Sequence, residues 1–559
     1  MKTAKKLCSL DAVIKEIYSA LVTDLSPATP SPNWSDIRSV RNMEFAYANP
    51  YEMKKSHQLR NFLKRWVFKD DVYSPDELEK ATKKAFIDSQ ATFGIRRITS
   101  ATSDVIERAR MIVGDILGEY DLVQHWRSCK WGKRAARGLP YSEAYLDLRV
   151  KALSGTVAQL AALKTAVVND ELLARIIRES EMETVSSVTL TCVPKSWKTH
   201  RTIAPDTVAG GFLSAGLGEY IRKRLESHTH INLSMAQEVH KQIALAASKD
   251  GYYATADLSK ASDSFVWEHI HMLVPRSWWG ALETCRTSMI NVGGGDKPLT
   301  SFMLMGSGHT FPLQTVLFYA ILRAIADLAG IHDRVYTFGD DLMYPSRMHR
   351  VVTHVLDCLG FSLNEEKSFY STRFGPCFRE SCGGDYYHGL DVRPFMPDSS
   401  SSLVGLGGSN AYVAMLHHLL NGLLEKWDTH EIPFTVSVLC RHLLMVRDDI
   451  AWAHAGFQPS YAGVYYELPG FVPRSPMRTL SNCYIVQNRT RMLRFVPERR
   501  KVTSEEVYLW QSLRAAPDIR ISKPDILEST NDTEWKGTVP MKQKGRLRWM
   551  DTFTNLLIG

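Results

Sequence analysis

The spacing of apolar positions changes character near residue 185. Before it the period is helical: 78–93 (LEKATKKAFIDSQATF), 102–119 and 154–183 place Ala, Leu, Ile and Val at three- and four-residue intervals, which predicts amphipathic helices. From Ser186, SSVTLTCVPKSW begins as a strand, and GYYATADL (251–258) is dense in β-formers. A helical stretch over 264–290, a glycine-rich turn (NVGGGDKP) and a long apolar helix over 309–329 follow. VYTFGDDLMYP (335–345) then reads as a buried hairpin broken at its tip by Gly339, Asp340 and Asp341, with a helix over 347–359 and a strand over 367–374 behind it. Strand, helix, helix, hairpin, helix, strand predicts an α+β unit, a small sheet with helices packed on it. Beyond Pro397 come SSSLVGLGGSN, a helix-rich segment over 411–450, and a tail whose stretch 536–548 (KGTVPMKQKGRLR) is basic and poor in core residues. That tail is expected to be mobile or to touch RNA.

Composition narrows the class without naming a function. A chain of 559 residues exceeds one hydrophobic core, so two to four domains or subdomains are expected. The net charge of +8 is compatible with a polyanionic partner, but spread over this length it decides nothing alone. Nine scattered cysteines without CxxC or zinc spacing predict reduced thiols in a cytosolic protein. The N-terminus, with Asp11, Lys15 and Glu16 interrupting its apolar residues, reads as an amphipathic helix and not a signal peptide. The run Phe311–Leu322 ends at Arg323, too short to span a bilayer, so no membrane partner is expected.

Two carboxylate strings carry the chemistry. Asp257 ends the strand-like run of ATADLSKASDSF, with Asp263 six residues on; Asp340 and Asp341 form the hairpin tip. A strand-end carboxylate beside a hairpin-tip pair is what holding two Mg²⁺ ions requires, because magnesium takes hard oxygen ligands and leaves positions for phosphate oxygens and water. Such a pair of ions activates a hydroxyl and stabilises departing pyrophosphate. In isolation FGDD is more often a surface turn, and DLSKASDS can equally start a helix with Asp263 as its cap. MGSGHTFPLQT (305–315) lies between the two strings, where Gly306 and Gly308 let backbone approach a nucleotide and Ser307 or Thr310 offers a hydroxyl. Lys195, Lys198 and Arg201, at three-residue intervals, supply the cations a triphosphate demands. In HWRSCKWGKRAARGLP (125–140), Lys130, Trp131, Lys133 and Arg134 combine cations for phosphates with an indole on which bases stack; an anchored solvated loop explains the same residues.

Taken together, VPKSWKTHRTI, DLSKASDS, MGSGHTF, FGDD and GPCFRESCGGDYYHGLDVRPF (375–395) resemble the replicase subunit of levivirus-type positive-strand RNA bacteriophages, over most of 185–400. The resemblance implies an RNA-directed RNA polymerase with a right-hand fold: N-terminal region and fingers in 1–240, an antiparallel palm in 241–400, and a thumb with the C-terminal region in 401–559. It implies replication of a single-stranded positive-sense RNA by two-metal nucleotidyl transfer from NTPs, with Asp257, Asp340 and Asp341 as ligands of two Mg²⁺ ions. It assigns Asp263 to the ribose 2′-hydroxyl, the basic loop to nucleotide entry, and the segment around Arg379 to the primer strand. Elongation factors Tu and Ts, ribosomal protein S1 and an RNA chaperone enter as partners only through it, as does the host bacterial cytoplasm. Phe338 stands where such polymerases often have Tyr, and Gln314 where many carry Asn. A reverse transcriptase shares the carboxylate logic, and a non-catalytic RNA-binding protein could keep the scaffold without needing all three aspartates.

Overall fold

The computed structural model describes residues 8–71, 73–131, 134–140, 149, 152–168, 171–370, 377–399 and 408–445, and the strand segments 461–462, 477–479, 485–502, 520–521 and 537–555. The class is α+β, with helices dominating the N-terminal part and short strands gathered from Ser187 to Asp391.

The centre of the molecule is the helix Thr310–Leu328. Leu313, Val316, Leu317, Phe318, Ala320, Leu322, Ala324 and Ala326 are all inaccessible, which is the pattern of a helix apolar all round and packed on every side. It is longer than the apolar run anticipated above and would pass for a membrane span by length and composition, yet most of it lies inside the protein. Ser100–Leu117 and Val208–His228 pack against it. Their apolar faces join those of the 253–259 strands and the His349–Cys358 helix in one continuous core.

A three-stranded antiparallel sheet lies on this helix, with Asp341–Pro345 between Tyr336–Phe338 and Tyr253–Ala256. Phe369 extends the far edge through mutual hydrogen bonds with Thr255 at 2.7 and 2.9 Å. Beside it stands the meander Phe378–Ser381, Gly384–Tyr387 and Leu390–Asp391.

A second core joins the N-terminal helices to the helices between residues 408 and 445. Val13, Ile17, Leu21, Phe62 and Trp66 pack with Val413, Leu416, Leu420, Leu423, Leu439 and Leu443. Boundaries at 240 and 401 therefore cut across both cores. Residues 105–225 share the central core with 254–361, and 13–68 share theirs with 412–443. Such long-range closure leaves no periodic trace in the chain.

Several expected elements are broken. The 154–183 stretch is two helices, Val157–Ala166 and Glu171–Glu179, held between paired strands Ser154–Gly155 and Glu183–Thr184. The 264–290 stretch splits at Pro275 and ends in strand Met289–Asn291, parallel to Ser187–Thr189. The strand expected over 367–374 contributes only the bridge at Phe369, and 371–376 lie outside the described residues. The basic stretch expected as a loose tail is, from Gly537 on, a strand: Gly537–Asn555 pairs antiparallel with Ile485–Val502, and residue 536 lies outside the described residues.

Candidate active site

The pairing register builds the site. Leu342 faces Ala256 across the ladder and Met343 faces Thr255, so continuing by one residue sets Asp341 opposite Asp257. Asp340 occupies the turn before it. That turn needs Gly339, whose φ of +65° lies in the left-handed region and where a Cβ would stand 2.5 Å from the Phe311 ring. The Gly339 N–H donates to Thr315 Oγ1 at 3.0 Å, and Phe338 packs edge-on against Phe311 at 4.6 Å. Phe338 thus contributes a packed ring, not a hydroxyl.

The carboxylates sense one another. Burial raises Asp340, and Asp257 raises it further. Asp341 is pushed up to about 7 by burial, then by Asp340 and Asp257, against a hydrogen bond from the Cys382 thiol at 3.5 Å. Asp257 is fixed by Asn364 Nδ2 at 2.9 Å and approached by Lys367 Nζ at 3.8 Å. Burial alone would depress the Lys367 ammonium, but Glu380, Asp257 and Asp341 together raise it. Lys195 is lowered by burial and by its cationic neighbours Arg201 and Lys367, with Asp257 and Asp340 opposing. Three cations therefore lie within electrostatic reach of the carboxylates.

The donor chemistry suits a hard divalent cation, since the repulsion raising Asp340 and Asp341 is what a bound cation relieves. Among the described residues no three His, Cys, Asp or Glu side chains are gathered tightly enough to hold an ion as they stand. Lys367 partly neutralises the Asp257 corner, so ion binding requires the carboxylates to draw together.

The remaining predicted residues divide. Lys195 and Arg201 face the carboxylates from the hairpin Thr191–Ser196 and Thr199–Ile203, whereas Lys198 sits in its turn. The hairpin tip docks on the N-terminal part: Arg41 stacks over Trp197 at 4.5 Å, and the Trp197 N–H donates to the Lys64 carbonyl at 3.2 Å. Asp263 is 9% exposed, accepts from Ser262 at 3.3 Å, and is pushed up to about 6 by burial. It does not cap the next helix, which starts at Trp267 behind Val266.

Four expectations need correction. Arg379 is completely buried and donates to the carbonyls of Tyr253, Phe378 and Gly251 at 2.7, 2.7 and 3.4 Å, so it ties the meander to the central three-stranded sheet and is closed to RNA. Trp131 is 5% exposed and packs on Phe212 at 4.6 Å, which leaves no face for a base. Ser307 bonds to His309 Nδ1 at 3.1 Å, and Thr310 Oγ1 donates to the Leu304 carbonyl at 2.9 Å; both hydroxyls serve the loop itself. Lys130 and Arg134 are exposed, and Lys133 lies outside the described residues.

Sequence reasoning missed Asn364, Lys367 and Cys382. The first two stand in NEEKS (364–368), after the short strand Ser362–Leu363 that follows the 349–358 helix, where a polar string returning beside Asp257 was the available signal.

Comparison with known proteins now decides the lineage. Residues 81–399 match the family model described as RNA replicase, beta-chain. The chain belongs to this family. It is 32% identical over 304 residues to the RNA-directed RNA polymerase beta chain of Enterobacteria phage fr, covering 52% of this chain and 53% of that one. It is 35% identical over 203 residues to that of Escherichia phage MS2, covering 36% of each. The chain spans about half the length, or less, of the curated relatives it matches. A solved RNA-dependent RNA polymerase of a human picobirnavirus (its insertion-loop deletion mutant) overlays 79% of this replicase-family chain and 89% of its own at a TM-score of 0.44 and 12% identity, a likeness too low to carry inference.

Proposed function

We propose that this chain is an RNA-directed RNA polymerase that extends RNA on a single-stranded RNA template from NTPs with release of pyrophosphate. One observation carries the reading: in a replicase-family chain, Asp341 continues in register to Asp257 across adjacent strands, with Asp340 at the turn and Lys195, Arg201 and Lys367 around them. In this reading Lys195 and Arg201 draw the triphosphate in and balance charge on its leaving oxygens. Asp263 accepts a hydrogen bond from the ribose 2′-hydroxyl, a group deoxyribonucleotides lack. Phe311 and Thr315 hold the turn that aims Asp340 and Asp341. Those two with Asp257 would hold two Mg²⁺ ions, which when bound activate the attacking hydroxyl and stabilise the leaving group.

The right-hand description is proposed in amended form: the palm in 241–400, fingers mainly between residues 75 and 240, and a thumb of 408–445 joined by the N-terminal helices. A positive-sense phage genome as template, work in the host bacterial cytoplasm, and the company of elongation factors Tu and Ts, ribosomal protein S1 and an RNA chaperone rest on the family resemblance alone. The test supplies purified protein, with and without bacterial extract, with RNA template, four NTPs and Mg²⁺. RNase-sensitive product that depends on template and cation is expected; product from dNTPs but not NTPs would indicate reverse transcription.

A further inference from the structure

Asp206 is a buried carboxylate that the proposed chemistry does not use. It accepts a hydrogen bond from Ser214 Oγ at 2.7 Å. A hydroxyl can donate once and accept as well, and Ser214 does both: its oxygen also accepts from the Gly308 N–H at 3.1 Å. Burial pushes Asp206 up to about 6, a cost the protein tolerates at this point.

These bonds seat the glycine-rich loop on the Val208–His228 helix and on the turn before it. The Ala204 N–H donates to the Met305 carbonyl at 2.8 Å, and a Cβ on Gly218 or Gly306 would collide with the Gly308 or Ala204 carbonyl. The loop leads straight into the Thr310–Leu328 helix. One turn later that helix supports the catalytic hairpin: Thr315 Oγ1 accepts from Gly339, and the Thr315 carbonyl accepts from Thr337 Oγ1 at 3.1 Å. Asp206 is thereby connected to the Asp340–Asp341 turn through hydrogen bonds and one rigid helix.

A cavity of about 20 Å³, room for roughly one water, is lined by Asp206, Arg286, Ser307 and His309, and buried His309 Nε2 has no hydrogen-bond partner.

We propose that Asp206 and Ser214 are positioning residues that hold the catalytic turn in place through the glycine-rich loop. The proposal rests on the polymerase reading for its kinetic part only. The variants are Ser214→Ala, Asp206→Asn and their double, with Ser214→Cys, close in size and a weaker donor, should Ser214→Ala fail to fold. Single-nucleotide addition is measured beside RNA affinity, and hydrogen exchange is followed in peptides spanning 305–310 and 336–341. The expected result for Ser214→Ala is addition slowed about tenfold at saturating NTP with RNA affinity unchanged, in line with coupling through a packed network. Exchange should accelerate in both peptides, although the second touches neither residue. The double variant should lose no more than the worse single variant, because the pair acts as one unit. Faster exchange in 305–310 with wild-type exchange in 336–341, or losses that multiply in the double variant, would overturn the proposal. A wild-type protein that adds no nucleotide even with bacterial extract would refute the polymerase reading, while the exchange result would still decide the positioning role.

Discussion

Removing one charge from the carboxylate cluster should stabilise the cation-free protein, even though it removes a ligand. The perturbation is Asp341→Asn. In the fold the Asp341 carboxyl is raised by burial and by Asp340 and Asp257, so its folded value lies above its unfolded one. A group raised in this way favours the fold fully below the unfolded value, and that contribution is lost as pH climbs through the folded value. The window is thus from 3.8 up to about 7. At about 1.4 kcal/mol for each pH unit, the ceiling on the cost of ionised Asp341 at pH 8 is about 4 kcal/mol. Asp340 and Asp257 share the repulsion, so a gain of about 1–3 kcal/mol is the expected size for the amide. The assay is denaturation in EDTA at pH 8 and again at pH 5, with exchange in the 336–341 peptide locating the effect. At pH 5 the folded carboxyl is protonated while the unfolded one is still ionised, so the ceiling falls to about 1.7 kcal/mol and the expected difference to about 1 kcal/mol or less. Mg²⁺ should reverse the order by stabilising the wild type alone. A variant no more stable than wild type at pH 8, or equally favoured at both pH values, would refute the electrostatic reasoning.

Arg379→Ala should destabilise the sheet by about 3 kcal/mol or more, because it leaves buried carbonyls unpaired; a soluble variant of wild-type stability with weakened RNA binding would restore the RNA-contact assignment. Lys195→Ala and Arg201→Ala should raise the KM for NTPs well above any change in template affinity, which a titration of each ligand separates. Asp263→Ala should narrow the preference for rNTPs over dNTPs by about one to two decades in kcat/KM, the worth of a charged hydrogen bond of about 1.5–3 kcal/mol; an unchanged ratio removes it from sugar choice.

Local order was legible in the sequence wherever one face had to be buried. The Thr310–Leu328 helix, the 336–345 hairpin and the strand before Asp257 follow from apolar runs bounded by Gly or Asp, and the meeting of that strand with the hairpin follows from the shared chemistry of their carboxylates. Arg379 and Trp131 show the limit. A cation or an indole in a polar string looks the same whether it meets phosphate or closes a core, since the carbonyls that receive Arg379 come from Gly251 and Tyr253, more than a hundred residues away. The joining of 13–68 to 412–443 was hidden for the same reason. Lys367 was passed over because its role depends on Asp257 and Glu380, which reach it only after folding.

The central claim is that the aspartates at the 257 and 340–341 positions form one cation-dependent site for making RNA on RNA. Its most direct test is template-dependent single-nucleotide addition by the wild type and by Asp340→Asn, each titrated with Mg²⁺ on the same RNA. The account predicts addition that rises with Mg²⁺ in the wild type, and a loss of at least about a thousandfold in the variant, on the scale of removing transition-state charge stabilisation. RNA binding should be unchanged in both. Addition by Asp340→Asn at the wild-type rate and with the wild-type Mg²⁺ dependence would contradict it.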